Sequence, residues 1–247
     1  MNKQLKIFSS KNVGSGIFLL FSILVTLLFS EVSARPALAD TKDGYELKFK
    51  VTGLKDSMIY IANYYGEKQY LKDSTHCDAN GNVVFKGVEA LPGGIYLFVF
   101  PNKTYFEFLI DNEQSFSMEC TLGNVIGSMK VKGSENNRLF YEYLNFIQER
   151  SKEVEPLKAQ LTANAENKVL VDSLERAIKK IDQKVADYKN TYISQYPQSF
   201  LAAIFKASKD PVIPELPKKA DGKPDSSFVY YYYRDHYFDN LDLGDER

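Results

Sequence analysis

The sequence predicts an α+β protein, in which an N-terminal antiparallel β-sandwich or small barrel of about eight strands precedes a helical region with a long antiparallel helix hairpin. Two successive periodicities along the chain predict this class. From Tyr45 to about Lys132 apolar residues recur at every second position, which is typical of half-buried strands. After Gly133 the apolar spacing lengthens to that of an amphipathic helix.

The first strand is predicted from Tyr45 to Thr52, where aromatic and aliphatic residues alternate with charged or polar ones before Gly53. Seven further strands follow at spacings near ten residues: 58–63, 69–77, 82–86, 95–100, 104–111, 115–121 and 128–132. Gly, Asn and Pro occupy the breaks between them, as turns require. The strand at 95–100 is apolar on both faces, so it is predicted to lie centrally.

Two long helices are predicted next, the first capped by Ser134 with Glu135 in its first turn. Pro156 is expected to kink or break that helix near Glu155, because proline lacks the backbone donor. In the second helix one apolar stripe with a 3-4 spacing is formed by Val171, Leu174, Ile178, Ile181, Val185, Tyr188 and Tyr192. The simplest partner for this stripe is the preceding helix, and dimerisation through it is the alternative.

The C-terminal part is predicted as a short helix at 199–208, a Pro-rich polar connector and an aromatic helix that resumes at Ser226. We therefore divide the chain into five parts. These are a signal peptide (1–39), a β-sandwich-like domain (40–133), a helical hairpin domain (134–210), a connector (211–225) and a C-terminal aromatic segment (226–247).

The N-terminal segment has the three parts of a secretory signal peptide: lysines, a short apolar run and small residues. The run Ile17–Phe29 would span roughly 20 Å as a helix, less than the ~30 Å hydrocarbon core, although an uncleaved anchor is the alternative. Cleavage fits after Ala34 or after Ala39, and the second site would leave 208 residues starting at Asp40. The sequence thus predicts export to the periplasm or cell envelope, with no membrane association after cleavage.

Composition excludes several classes of function. With 31 basic and 32 acidic residues the formal charge is −1, and removal of residues 1–39 takes away four basic residues and one acid, leaving −4. This balance argues against a nucleic-acid partner. Two His and two Cys are too few for a zinc site built from those residues alone, and no phosphate-binding glycine motif or nucleophile elbow occurs. We therefore predict no catalytic residue, no metal site and no cofactor.

Cys77 and Cys120 lie 43 positions apart, so they form no Cys-x-x-Cys redox motif. In an oxidising compartment they could pair as a structural disulfide; otherwise both are small core or edge residues. His76 neighbours Cys77, but adjacent residues of a strand point to opposite faces, which argues against shared metal binding.

The densest aromatic cluster comprises Tyr230–Tyr233, Tyr237 and Phe238. One interpretation is a stacking platform for sugars or a flat ligand. The interpretation favoured by helical spacing is that Tyr230, Tyr233 and Tyr237 pack onto the helix hairpin. If the cluster is exposed, the same residues with Phe238 predict an interface for a partner.

Four segments together resemble the N-terminal region of exported thioredoxin-like (AhpC/TSA-type) thiol–disulfide oxidoreductases of Gram-negative bacteria. They are Asp73–Gly87, Pro92–Val99, Val131–Tyr143 and, most specifically, Tyr230–Arg247, with the Tyr45–Gly53 strand beside them. The first half is similar to an uncharacterised β-rich domain of that family, and the second half to an uncharacterised helical domain. The catalytic thioredoxin-like domain is absent from this sequence.

The resemblance implies a non-catalytic accessory module that positions or docks a thioredoxin-like domain, or dimerises. The stop at Arg247, inside the best-matching segment, favours a truncated or split product over a stand-alone accessory protein. The alternative function is an independent envelope protein that binds a small ligand, a glycan or a partner protein.

Overall fold

A computed structural model describes residues 44–66, 68–219, 222 and 225–245. It contains eight strands, β1 (Tyr45–Thr52), β2 (Met58–Tyr65), β3 (Lys68–His76), β4 (Asn82–Gly87), β5 (Gly94–Val99), β6 (Tyr105–Ile110), β7 (Ser115–Thr121) and β8 (Lys130–Lys132). Its five helices are α1 (Val125–Ser128), α2 (Glu135–Ala163), α3 (Lys168–Gln195), α4 (Phe200–Ala207) and α5 (Ser226–His236). The predicted α+β class, with strands first and long helices after them, is confirmed.

The strands form two four-stranded sheets, ordered β4-β1-β7-β8 (sheet A) and β3-β2-β5-β6 (sheet B). All pairs are antiparallel except β1 with β7, which run parallel with Phe49 opposite Met118. This pair departs from the purely antiparallel sheets that the sequence predicts. Between these two strands the chain forms β2 to β6, so the connection is long enough for β7 to return parallel to β1.

Inward-facing side chains of both sheets form an aromatic core. The Phe49 ring on β1 lies 4.8 Å from that of Phe98 on β5, which stacks at 4.7 Å on Phe106 of β6. Phe108 is a further neighbour of Phe49, at 5.3 Å between ring centroids. The predicted central position of the 95–100 strand is confirmed, since β5 lies between β2 and β6.

Helix α2 continues through Pro156, so of the predicted kink or break near Glu155 the break is wrong. Pro156 and Lys152, whose carbonyl loses its helical donor, both lie on the exposed side of the helix. Water can therefore hydrate that carbonyl, which lowers the cost of the missing hydrogen bond.

Helices α2 and α3 form the predicted hairpin. All seven residues of the predicted α3 stripe are buried or half-buried. Tyr188 stacks on Phe146 of α2 at 4.6 Å and contacts Tyr143 at 5.7 Å. The short helix α4 adds Phe205, which contacts Tyr143 at 4.6 Å. The apolar stripe of α3 therefore packs against other helices of the same chain.

The start of α2 is bonded to the edge of sheet B. Asn137 is fully buried, and its side chain accepts from the Leu109 N–H and donates to the Leu109 carbonyl, both at 2.7 Å. One turn later, the Tyr141 hydroxyl donates to the Glu107 carbonyl at 2.9 Å. These bonds replace a neighbouring strand along β6, because Glu107 and Leu109 turn their backbone groups away from β5. Ser134 caps α2, as predicted, by accepting from Asn137 N–H.

No helix among the described residues is both long and apolar enough to cross a membrane. The predicted signal peptide, with its lysines, apolar run and cleavage sites, lies outside the described residues.

Candidate functional site

Both cysteines are free, buried thiols in the structure. Cys77 follows β3 and donates from Sγ to the Asp78 carbonyl at 3.2 Å, and burial followed by the nearby Asp78 charge raises its pKa. Cys120 lies opposite Val51 in sheet A, and burial raises its pKa to about 12. Both thiols therefore stay protonated at neutral pH, in the form that is a poor nucleophile.

A shallow cleft of about 250 Å³ opens beside Cys120. Its walls come from the end of β7, from α1 and from the start of β8. Ser128 is fully engaged there, since its hydroxyl accepts from Thr121 N–H at 2.8 Å and donates to the Asn124 carbonyl at 2.5 Å. Both described hydrogen bonds of the Ser128 hydroxyl are thus with backbone groups, not with a side-chain base.

His76 is exposed while Cys77 is buried, so the two side chains diverge, as the strand argument predicted. Within the described part of the chain, no group of three or more His, Cys, Asp or Glu side chains is arranged to hold a metal ion.

Helix α5 carries the predicted aromatic cluster, and its faces differ in exposure. On one face Phe228, Tyr232 and His236 form a column, with ring separations of 5.5 and 4.1 Å. On a second face Tyr233 packs on Tyr237 and donates its hydroxyl to Asp210 at 2.8 Å. That hydrogen bond and partial burial raise the pKa of Tyr233 to about 12.

The remaining aromatic residues of this segment point into solvent. Tyr230 is 67% exposed, Tyr231 51% and Phe238 41%. We call these three residues the aromatic surface. The Arg234 guanidinium lies 5.1 Å from the Tyr231 ring, in cation–π geometry. The favoured interpretation of the sequence, that Tyr230 packs on the helix hairpin, therefore fails for Tyr230; the helix is held instead through Tyr233, at the 209–210 turn.

A second cluster, which sequence reasoning missed, lies on the outer face of sheet B. Glu107 on β6 is half-buried and accepts a hydrogen bond from the Tyr64 hydroxyl at 3.3 Å. Gln69 donates to that same hydroxyl at 3.4 Å. Burial raises the pKa of the Glu107 carboxyl, while the bond from Tyr64 lowers it by a smaller amount. The pKa of Tyr64 is also raised, chiefly by burial and next by a side-chain hydrogen bond with Tyr105. We call Tyr64, Gln69, Tyr105 and Glu107 the sheet B cluster.

The only sequence signal for this cluster was the single acid within the otherwise apolar run of β6 (YFEFLI). Period two places Glu107 on the face opposite the core, where a carboxylate is ordinary. What makes it unusual is Tyr64, which comes from a strand two positions away in the sheet, and strand order cannot be obtained from periodicity.

Replacing Glu107 with glutamine is expected to raise the melting temperature at pH 7. A carboxyl whose pKa is raised in the folded state costs stability once it ionises, above the folded pKa. Below the unfolded pKa of about 4.3 both states are protonated, so the gain should vanish as the pH falls toward that value. Thermal unfolding at several pH values measures this. The exposed Glu119→Gln variant is the control, and an equal gain at every pH would contradict the burial argument.

Comparison with solved structures gives low similarity. The structure of Klebsiella pneumoniae 5-hydroxyisourate hydrolase is 11% identical, with a TM-score of 0.23, and the match covers 37% of this chain and 94% of that one. A 9R-lipoxygenase from Cyanothece is also 11% identical with a TM-score of 0.23, covering 56% of this chain and 26% of the other. TM-scores and identities this low support no conclusion about fold or function.

No curated protein matches the sequence. A family model does match, over residues 45–140, and its description is "Domain of unknown function (DUF4369)". The match extends from β1 to the first turns of α2, and so includes both sheets and the Asn137 contact with β6. The chain therefore carries a DUF4369 domain, an uncharacterised domain, at residues 45–140.

Proposed function

We propose that this chain is an exported, non-catalytic interaction module that positions or docks a thioredoxin-like domain. The observation that carries the proposal is the aromatic surface, which lies on α5 and just after it. Tyrosine and phenylalanine are enriched at the centres of protein interfaces, where they bury large areas with few rotatable bonds. Three such side chains, all more than a third exposed on one short segment, support a docking role.

The way α5 is held also supports docking. The described hydrogen bonds that join α5 and its flanking residues to the rest of the chain include Tyr233 to Asp210, Asn240 to the Lys209 carbonyl, and the Asp225 N–H to the Pro217 carbonyl. The described ring contacts of Tyr230 and Tyr231 stay within the helix, between these two rings and with Arg234. The helix is thus anchored through Tyr233, while Tyr230 and Tyr231 stay exposed and available to a partner.

The class of the partner comes from the resemblance of Tyr230–Arg247 to a segment that precedes thioredoxin-like domains. The redox chemistry would then belong to that domain. This chain would contribute geometry alone, since a thiol of raised pKa reacts slowly with a disulfide.

Export to the periplasm or envelope is part of the proposal and rests on the signal-peptide pattern of residues 1–39. N-terminal sequencing of the protein recovered from its native host tests it. A mature start at Asp40 or Arg35 supports export, and a retained N-terminus contradicts it.

Photo-crosslinking in the native host tests the docking role. With p-benzoylphenylalanine in place of Tyr231, we expect a covalent adduct to a protein or domain that carries a thioredoxin fold with Cys-x-x-Cys, identified by mass spectrometry. Tyr231 suits this use because it is half-exposed and its ring position would be conserved by the probe.

The control places the same probe at Val169, an exposed apolar residue at the start of α3. An adduct to an unrelated envelope protein would favour the alternative, an independent binding protein, and an adduct to a second copy of this chain would indicate a homodimer. Either result, or equal capture from both positions, would overturn docking of a thioredoxin-like domain.

A further inference from the structure

We infer that the outer face of sheet B is a second docking surface, which receives a cationic side chain, lysine or arginine, of a partner protein at Glu107. This surface shares no residue with α5. The inference therefore stands or falls independently of the docking role proposed for that helix.

The strand register places the components of this site. Ala62 of β2 lies opposite Leu97 of β5, and Leu97 lies opposite Glu107 of β6. Leu71 of β3 lies opposite Ala62 and extends the same row. Because directly paired residues share a face, these four side chains all lie on the outside of sheet B.

The Tyr64 side chain lies over this row of residues. Its strand, β2, is separated from the strand of Glu107 by β5, a distance of about 10 Å at the usual strand spacing. The hydroxyl nevertheless reaches the carboxylate at 3.3 Å, so the phenol ring spans β5. Leu97 beneath is 0% exposed, although it points away from the core. The Glu107 carboxylate thus accepts from Tyr64 and lies next to the buried Leu97.

The charge of Glu107 is left unmatched in the described part of the chain. None of the ion pairs among the described residues involves Glu107, whereas Glu46 and Glu119 each lie within 4 Å of a lysine. Its Oε1 accepts from Tyr64, and no described donor reaches Oε2. Glu107 is only half-buried, so part of its surface remains accessible to solvent.

The surroundings favour a protein partner over a small amine. Leu71 is 66% exposed on the same face, and further along β2 Tyr60 and Met58 are exposed on that face as well. A small cation would leave these apolar side chains in water, whereas a protein segment would cover them. A carboxylate on the edge strand of a face whose other strands expose apolar and aromatic side chains favours a partner that presents one cation beside apolar residues.

A peptide titration followed by NMR tests the site. The probe is the capped tripeptide Ac-Leu-Arg-Leu-NH₂ at low salt, with the citrulline peptide as its neutral isostere. We expect saturable shifts of the amides of β2, β5 and β6 with the arginine peptide. Binding of the citrulline peptide should be at least tenfold weaker.

Glu107→Gln should weaken arginine-peptide binding by a similar factor, whereas Glu119→Gln on sheet A should leave it unchanged. The amide spectrum of each variant reports whether it is folded, and the citrulline comparison tests the site on the unaltered protein. Equal binding of the two peptides, or shifts that map away from sheet B, would overturn the inference.

Discussion

Asn137→Leu is expected to lower the free energy of unfolding by about 3–5 kcal/mol. The leucine fills a similar volume but leaves the Leu109 N–H and carbonyl buried without partners, at about 1–3 kcal/mol for each group. It also removes the bond from Asn137 to Ser134 Oγ. For a domain with a typical stability of about 5–15 kcal/mol this is a large fraction of the total. Urea denaturation followed by circular dichroism measures it.

Asn136→Leu is the matched control, since it makes the same chemical change one position away, at a residue with no hydrogen bond among those described for its side chain. A loss of less than about 1 kcal/mol is expected there, as for ordinary surface substitutions. Equal losses in the two variants would mean that the Asn137 contact with β6 is not what holds the helical region to the sheets.

Ile178→Asp combined with Ile181→Asp is expected to unfold the helix hairpin. Both isoleucines belong to the buried stripe of α3, and Ile181 is 7% exposed. Each replacement loses about 2–3 kcal/mol of apolar burial and places a carboxylate against α2. The helical signal in circular dichroism should fall at a much lower temperature than in the unaltered protein, while the sandwich remains.

The control for this pair is Ala186→Asp with Asn190→Asp, which adds the same charge on the exposed side of α3. Its melting should shift by only a few degrees. An unchanged melting curve for the isoleucine variant would show that this stripe does not hold α3 on α2.

The elements of the fold could be predicted from the sequence because each is encoded locally. The period-two run from Tyr45 and the stripe from Val171 specify strand and helix, and also which face each buries. Strand order is different, because it depends on contacts between distant segments. Periodicity assigns residues to faces of a sheet but does not state which strands pair, so the parallel neighbours β1 and β7 could not be foreseen.

Two local signals also gave wrong expectations for reasons seen in the structure. Pro156 carries an intrinsic penalty in a helix, but packing of α2 on α3 and exposure of Pro156 itself outweigh it. The spacing of Tyr230, Tyr233 and Tyr237 predicted one packed face, yet Tyr233 bonds to Asp210 while Tyr230 stays in solvent. Helical spacing shows which residues lie on one face of a helix. It does not show whether another part of the chain covers that face.

The sheet B cluster shows the same limit at a candidate site. From the sequence alone, Glu107 is expected to be an ordinary acidic residue on the outward face of an edge strand. Its half-buried state depends on Tyr64, which reaches it from across β5. A site assembled from three strands leaves no spacing motif in the sequence.

Insulin reduction tests most directly the claim that this chain is non-catalytic. Purified protein and its Cys77→Ser, Cys120→Ser double variant are compared with dithiothreitol as the electron donor. We predict the same rate for both, no faster than dithiothreitol alone, because both thiols are buried and their pKa values are raised. A rate that exceeds that of the double variant would contradict the account, since the chain would then carry a redox-active cysteine of its own.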